Sequence, residues 1–135
     1  PECTLRRCGP MIRGLGTDLV AIPRVESLLV RHRERFLSRV FTSIEQAECL
    51  GRARPAIHLA ARVAAKEAAM KALGSGWALG VGWLDVEVRS KDGAAPSLVL
   101  AGGARARAEA QGIRQTLVSL SHDGEYALAV VIATD

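Results

Sequence analysis

An alanine-dominated segment at residues 57–73 constrains the fold of this chain more than any other part of its sequence. Alanine has the highest helix propensity, and Gly74 directly after the segment is a common helix stop, so we predict one long helix here. At 100° per residue, Glu67 and Lys71 lie one above the other on a face that Ala64 shares. A charged pair on a face otherwise lined with alanine leaves room for another group close to the helix.

The rest of the chain alternates between strand and helix patterns. Residues 11–18 form a strand pattern in which Gly14 and Gly16 mark points where the backbone bends or is approached closely. Asp92-Gly93 and Asp123-Gly124 are turn signals that join strands as hairpins. Helices are predicted over residues 23–40, 44–50 and 104–111, and further strands over residues 81–89, 97–100, 116–120 and 126–132. Hairpin-paired strands mixed with separate helices predict an α+β fold with a mainly antiparallel sheet.

Two helices carry additional local signals. The helix over residues 23–40 has an apolar stripe that runs from Val25 through His32 to Val40. Thr42 and Glu45 have the spacing of a capping box, which starts the next helix.

Composition limits the partners of this protein. The net charge is +4, with 15 Arg and 3 Lys among the basic residues, and aromatic residues make up 4% of the chain. The positive charge favours an anionic partner, namely nucleic acid, a phosphorylated ligand or an acidic protein. The scarcity of aromatic side chains leaves few candidates for base stacking.

The sequence also indicates where the protein works and how it is divided. The longest apolar run, residues 126–133, is far shorter than the ~20 residues of a membrane helix, so no membrane association is expected. Cys3, Cys8 and Cys49 are odd in number and form no metal-binding pair, which indicates a reduced, cytoplasmic setting. We expect residues 1–10 to be an upstream extension or an expression remnant, and residues 11–135 to form a single domain.

Asp18, Glu67 and Lys71 are the first candidates for chemistry. One interpretation is structural: Asp18 in a turn or helix cap, and Glu67 with Lys71 as a surface ion pair. The other is functional: the two carboxylates would hold Mg²⁺, which usually keeps water and phosphate as its other ligands, and Lys71 would balance phosphate charge. Lys66 falls nearer the apolar flank of the helix and is interpreted as snorkelling or structural.

Two further sets of polar residues are notable. Ser121 and His122 point to opposite faces of a strand, so a phosphate or ribose contact by His122 is more plausible than a nucleophile–base pair. Arg24, Arg31 and Arg35 fall within a band about 40° wide on the helix over residues 23–40. A solvated face explains such a band, but an acidic protein helix or a nucleic-acid backbone fits it as well.

Taken in order, these motifs resemble the holo-[acyl-carrier-protein] synthases, the small trimeric class of 4′-phosphopantetheinyl transferases. The resemblance covers residues 11–131. Its segments are the opening strand at residues 11–20, Phe-Thr-Ser-Ile-Glu at residues 41–45, the signature helix and turn at residues 62–76, and Ser-Leu-Ser-His at residues 119–122.

The resemblance implies a transferase that moves the 4′-phosphopantetheine arm of coenzyme A to a serine of apo acyl carrier protein and releases adenosine 3′,5′-bisphosphate. It implies that Asp18 and Glu67 are Mg²⁺ ligands and that Lys71 contacts phosphate. It also implies a homotrimer with sites between subunits, and a role in fatty-acid or other lipid biosynthesis. The residues that it assigns to coenzyme A are Arg62, Lys71, Gly74, Ser75, Gly76, Pro96 and His122, and those that it assigns to the carrier are Arg24, Arg31 and Arg35.

Three positions depart from the family pattern. Ala21 stands where an acidic residue is usual, which removes any role for a carboxylate there. Val63 replaces the usual phenylalanine of the signature helix. The glycine of a Gly-x-Pro motif is replaced by Ala94 or displaced by an insertion, which affects the assignment of Pro96.

We therefore expect a Mg²⁺-dependent phosphopantetheinyl transferase. The alternatives are a non-enzymatic module that binds acyl carrier protein and, less favoured, a small basic nucleic-acid-binding domain.

Overall fold

The computed structural model describes residues 9–76, 80–91 and 94–135. The strands are β1 (Ile12–Ala21), β2 (Val86–Arg89), β3 (Ser97–Leu100), β4 (Gln115–Asp123) and β5 (Tyr126–Thr134), and the helices are α1 (Ile22–Val40), α2 (Ser43–Leu50), α3 (Pro55–Ala72) and α4 (Gly102–Ala110). The strands form two antiparallel sheets, one in the order β1-β5-β4 and the other of β2 and β3. The expected α+β class is confirmed, with two sheets.

Helix α3 packs against the three-stranded sheet through small residues. A β-carbon added at Gly14 would collide with the carbonyl oxygen of Ala72, and one added at Gly16 would collide with that of Ala68. On β5, alanines at positions 127, 129 and 133 are buried on the same face of the sheet. The prediction of close approach at these glycines is confirmed, and this approach brings the end of β1 beside the middle of α3.

A buried ion pair joins α2, α3 and β2. The Lys66 side chain is fully buried, and its Nζ donates to Glu45 Oε1 at 2.8 Å, to the carbonyl of Trp83 at 2.9 Å and to that of Val86 at 2.7 Å. Glu45 also forms the expected capping box with Thr42 and accepts the amide of Val88. Lys66 is therefore structural, as predicted, but it does not snorkel, because all three of its donors find partners inside the protein.

Three local predictions were wrong in detail. Asp18 does not end its strand, because β1 continues to Ala21. Helix α1 is broken at His32, which is exposed and has φ −138° and ψ 38°, so the apolar stripe is not continuous. The strand expected from residue 81 begins at Val86, because the amide of Gly82 donates to Asp85 Oδ2 at 2.9 Å and a short 3₁₀ turn forms first. The Asp92-Gly93 turn lies outside the described residues.

The face of the three-stranded sheet opposite α3 is apolar and exposed. Leu19 of β1 pairs directly with Leu128 of β5, and both side chains lie on this outer face, where they are 60% and 38% exposed. Leu15, Leu117 and Tyr126 extend the same surface. A contiguous apolar sheet face of this kind marks an interaction surface.

Within the described ranges, no helix has both the length and the apolar character to cross a membrane. Cys49 is a free, buried thiol, and burial raises its pKa to about 11.

Candidate active site

Asp18, Glu67 and Lys71 meet where β1 crosses α3. Lys71 Nζ lies 3.1 Å from Asp18 Oδ1 and donates to the carbonyl of Thr17 at 2.9 Å. The Lys71 side chain is 55% exposed, whereas that of Asp18 is 12% exposed. The ammonium group of Lys71 therefore bridges the helix to the strand, where spacing alone suggested a pair with Glu67.

The carboxylate of Glu67 lies next to that of Asp18. Asp18 Oδ2 is buried and has no hydrogen-bond partner. The pKa of Glu67 is raised to about 7, first by burial and then by its contact with Asp18, while Lys71 and Arg24 oppose the rise. Two carboxylates this close favour a shared proton or a bound cation, because both cannot remain ionised alone at low cost.

This pair of carboxylates suits a hard cation that keeps most of its coordination for other oxygen ligands. In the described part of the chain, no group of three or more His, Cys, Asp or Glu side chains is arranged to hold a metal. Asp18 and Glu67 would supply two ligands, and water or a phosphate-bearing substrate would supply the rest, which is how Mg²⁺ is usually bound. The unpartnered Oδ2 of Asp18 is the atom best placed for this role.

An apolar cavity of about 430 Å³ opens beside Glu67. Arg24 of α1 and Glu67 supply its charged groups. Its remaining walls are Leu19, Val20, Ala21, Val25, Leu28, Phe36, Val40, Val63, Trp83 and Tyr126. The site thus combines a carboxylate pair, a lysine, an arginine and an apolar cavity.

The turn after α3 adopts the geometry that its glycines allow. Gly74 and Gly76 have φ of +69° and +52°, and Ser75 Oγ donates to the carbonyl of Gly76 at 3.1 Å. Arg107 of α4 donates from Nε to the carbonyl of Leu73 at 3.1 Å and so satisfies an acceptor at the end of α3. The turn therefore lies one helical turn beyond Lys71.

Three other predicted site residues lie on α3, on β4 and directly before β3. Arg62 is buried and its Nη2 lies 2.6 Å from Glu48 Oε2, although its Nε has no partner. His122 is exposed near the end of β4, and Pro96 directly precedes β3.

The break at His32 divides the arginine band. Arg24 and Arg31 precede the break and Arg35 follows it, so a continuous helical wheel no longer relates the three. Arg35 lines a second, smaller cavity, which shares Leu28 and Phe36 with the first. The three arginines are exposed along α1.

Sequence reasoning missed the contacts of Lys66, Trp83 and Arg107. For Glu45, the capping-box spacing indicated that its carboxylate lies at the start of α2. The spacing from residue 45 to residue 66 gave no indication that the two side chains meet, and Arg107 lies in a helix with no distinctive pattern.

Comparison with known proteins decides the family. The model of the 4′-phosphopantetheinyl transferase superfamily matches residues 14–131 of this chain. The chain belongs to that superfamily. The resemblance found in the sequence motifs is thereby confirmed, and the matched range contains Asp18, Glu67 and Lys71.

The relatives in this superfamily are holo-[acyl-carrier-protein] synthases. The synthase of Koribacter versatilis is 43% identical over 125 residues, which cover 93% of this chain and all of that protein. The synthase of Moorella thermoacetica is 48% identical over 118 residues, which cover 87% of this chain and 90% of that protein.

Solved structures of holo-[acyl-carrier-protein] synthases have the same fold as this chain. The holo-[acyl-carrier-protein] synthase of Neisseria meningitidis superposes with a TM-score of 0.82 at 32% identity and covers 91% of this chain and 98% of its own. The synthase of Helicobacter pylori, solved in complex with coenzyme A, has a TM-score of 0.77 at 29% identity. The match covers 88% of this chain and 98% of that one.

Proposed function

We propose that this protein transfers the 4′-phosphopantetheine group of coenzyme A to a serine of apo acyl carrier protein. The observation that carries the proposal is the meeting of Asp18, Glu67 and Lys71 between β1 and α3, in a chain whose relatives are holo-[acyl-carrier-protein] synthases. The serine hydroxyl gives its proton to water or a nearby carboxylate, and its oxygen forms a bond to the phosphorus next to the pantetheine arm. The bond from this phosphorus to the bridging oxygen breaks, and adenosine 3′,5′-bisphosphate leaves with the electron pair.

Asp18 and Glu67 are proposed to hold Mg²⁺. The support is the buried Asp18 Oδ2, which has no hydrogen-bond partner in the protein, and the pKa of Glu67, which burial and the neighbouring Asp18 carboxylate raise to about 7. When bound, Mg²⁺ would stabilise the negative charge of the pyrophosphate and of the leaving group. Asp18 and Glu67 would hold the cation from two elements packed against each other, strand β1 and helix α3.

Lys71 is proposed to bind a phosphate oxygen directly. Its side chain is more than half exposed, and two acceptors on β1 hold the ammonium group in place for an incoming anion. The nucleophile belongs to the carrier protein, so this chain needs to supply only binding, orientation and charge.

The carrier and the nucleotide are proposed to bind two different sets of residues. The exposed arginines Arg24, Arg31 and Arg35 on α1 complement an acidic carrier surface, and Arg24 also reaches the cavity beside Glu67. The turn at residues 74–76 follows Lys71 and is proposed to receive the nucleotide end of coenzyme A, together with Pro96.

A homotrimer is proposed from the resemblance to the trimeric synthases, and the apolar outer face of the sheet is compatible with it. Covering Leu19, Leu128 and their neighbours with further copies of the chain would remove this surface from water. Arg62 and His122 are proposed to meet coenzyme A across such an interface. A cytoplasmic location fits the free thiol of Cys49.

The test is the intact mass of an apo acyl carrier protein after incubation with the protein, coenzyme A and Mg²⁺. The carrier should gain the mass of one phosphopantetheine, and Glu67→Gln should abolish the gain. If several carriers gain no mass but still bind, with binding that survives Asp18→Ala, the protein is a carrier-binding module. Binding that falls steeply with salt for any nucleic acid would indicate the nucleic-acid alternative.

A further inference from the structure

Two cations of α3 are each held by a glutamate of α2. Lys66 Nζ donates to Glu45 Oε1 at 2.8 Å, and one turn earlier Arg62 Nη2 donates to Glu48 Oε2 at 2.6 Å. Each glutamate also accepts a backbone amide. Glu45 Oε2 accepts one from β2 at 3.0 Å, and Glu48 Oε2 accepts that of Ser90, directly after β2, at 3.2 Å. The two ion pairs therefore connect the same three parts of the fold.

The two cations differ in how many of their donors the protein satisfies. All three N–H groups of the buried Lys66 donate to acceptors inside the protein. A guanidinium has five N–H groups in a planar fork. Arg62 is 3% exposed, yet among the described residues no acceptor is bonded to its buried Nε. Since a buried donor without a partner is unfavourable, Arg62 is suited to an acceptor from outside these residues.

We propose that Glu48 is a positioning residue for Arg62, and that it orients the guanidinium so that the remaining N–H groups meet a phosphate oxygen of coenzyme A. The inference rests on the proposed function, in which Arg62 meets coenzyme A. A guanidinium binds phosphate through N–H groups in fixed directions, so its orientation matters as well as its charge. Glu48 can fix that orientation because the amide of Ser90 holds the same carboxylate oxygen.

A purely structural role for Glu48 makes a different prediction. If Glu48 only neutralised a buried charge, its loss would lower stability and would affect ligand binding whether or not Arg62 is present. A positioning residue acts through the side chain that it orients. Once Arg62 has been replaced, the loss of Glu48 should therefore have no further effect on ligand affinity.

The experiment measures the affinity for adenosine 3′,5′-bisphosphate by calorimetry with Mg²⁺ present, in Arg62→Met, in Glu48→Met and in the double variant. Arg62→Met should weaken binding about tenfold, the effect of one lost charge-assisted hydrogen bond. Glu48→Met should weaken binding about fivefold. The double variant should bind no more weakly than Arg62→Met alone. In the transfer assay, Glu48→Met should raise the KM for coenzyme A and leave kcat unchanged, because Asp18, Glu67 and Lys71 are intact.

Two further variants separate positioning from other effects. Glu48→Gln keeps an oxygen acceptor for Arg62 and Ser90, and its affinity for the bisphosphate should stay within about twofold of that of the unmodified protein. Glu26→Met is the matched control, because Glu26 forms a 2.7 Å ion pair with Arg54 at an exposed place, and it should not change the affinity. Circular dichroism checks the fold of each variant. If Glu48→Met does not fold, Glu48→Ala takes its place.

Other outcomes overturn the inference and identify the reason. Losses that add in the double variant would assign Glu48 a structural role that is independent of Arg62. Equal weakening in Glu48→Gln and Glu48→Met would show that the charge of Glu48 matters and its hydrogen bonds do not. Unchanged binding in Arg62→Met or in Glu48→Met would remove the proposed contact while leaving the proposed transfer intact. Failure of the unmodified protein to bind coenzyme A would instead contradict the proposed function itself.

Discussion

Lys71 Nζ lies 3.1 Å from one carboxylate oxygen of Asp18, and the other oxygen of that carboxylate is buried with no partner. The two carboxylate oxygens of Asp18 therefore have different surroundings. Oδ1 holds the lysine against β1, and Oδ2 remains available for a cation shared with Glu67. The geometry depends on the close packing of α3 on β1, which Gly14 and Gly16 allow because neither carries a β-carbon.

Removing either carboxylate should disable transfer without unfolding the protein. Glu67→Gln and Asp18→Asn keep the shape of the side chain but lose the charge that a divalent cation requires. We expect the rate of transfer to fall by at least about a hundredfold in each case. Calorimetric titration with Mg²⁺ should show loss of binding alongside the loss of rate. Normal Mg²⁺ affinity in Glu67→Gln would contradict the assignment.

The pKa of Glu67 predicts a pH dependence of stability in the absence of divalent cations. Its folded pKa of about 7 lies above its usual value of 4.5, so the folded state binds more protons than the unfolded state between these values. The contribution of Glu67 to the free energy of unfolding is therefore present below about pH 4.5 and is lost as the pH rises to about 7.

Urea denaturation with EDTA between pH 4.5 and 7 measures this dependence, with Glu67→Gln as the variant that lacks it. Added Mg²⁺ should flatten the difference, because the cation replaces the proton between the carboxylates. A difference between the two proteins that does not vary with pH would show that Glu67 has an ordinary pKa.

The close packing of α3 on β1 predicts that Gly16 cannot be replaced. A β-carbon there would collide with the carbonyl oxygen of Ala68, which is backbone and cannot move alone. Gly16→Ala should lower the free energy of unfolding by about 3 kcal/mol or more. Gly51→Ala is the control, because its nearest contact would be 3.9 Å away and its φ is −80°. Equal stability of the two variants would refute close packing at Gly16.

The buried pair of Lys66 and Glu45 predicts a strong, non-additive effect on stability. Lys66→Met leaves a buried carboxylate without its cation and should cost about 3–5 kcal/mol in thermal or urea denaturation. Adding Glu45→Gln to that variant should restore part of the loss, because the uncompensated charge is then removed. Additive losses in the double mutant would mean that the two side chains do not interact.

The outer sheet face predicts an oligomer that one charge can disrupt. Leu19→Glu places a carboxylate on a surface that we propose is covered by other copies, and analytical ultracentrifugation should show conversion of trimer to monomer. Ile44→Glu, at an exposed position on α2, should leave the trimer intact. A monomeric unmodified protein would contradict the proposed assembly.

Sequence patterns predicted the parts of the site that depend on local periodicity. Glu67 and Lys71 share a helix face because residues four apart lie one above the other on a helix. Gly16 and Asp18 share a strand face because residues two apart point to the same side of a strand. The helix ends and the hairpin at Gly124 also follow from local preferences, and the latter has the expected positive φ.

The remainder depends on contacts between distant segments. The burial of Lys66 requires carbonyl groups of residues 83 and 86 to converge on it, which no spacing reveals. The break at His32 separates the buried residues of α1 into two groups, at 22–25 and at 36–40, although their spacing suggested one stripe. The alternation at residues 81–85 resembled a strand, but the contact of Asp85 with Gly82 favoured a turn.

The most direct test of the central claim measures both products of one reaction. Apo carrier, coenzyme A, Mg²⁺ and the protein are incubated together, and the mass of the carrier and the amount of adenosine 3′,5′-bisphosphate are followed in the same samples. We expect one adenosine 3′,5′-bisphosphate to be released for each carrier that gains a phosphopantetheine, and neither product to form with Glu67→Gln. Release of bisphosphate without modification of the carrier, or no reaction with any carrier, would contradict it.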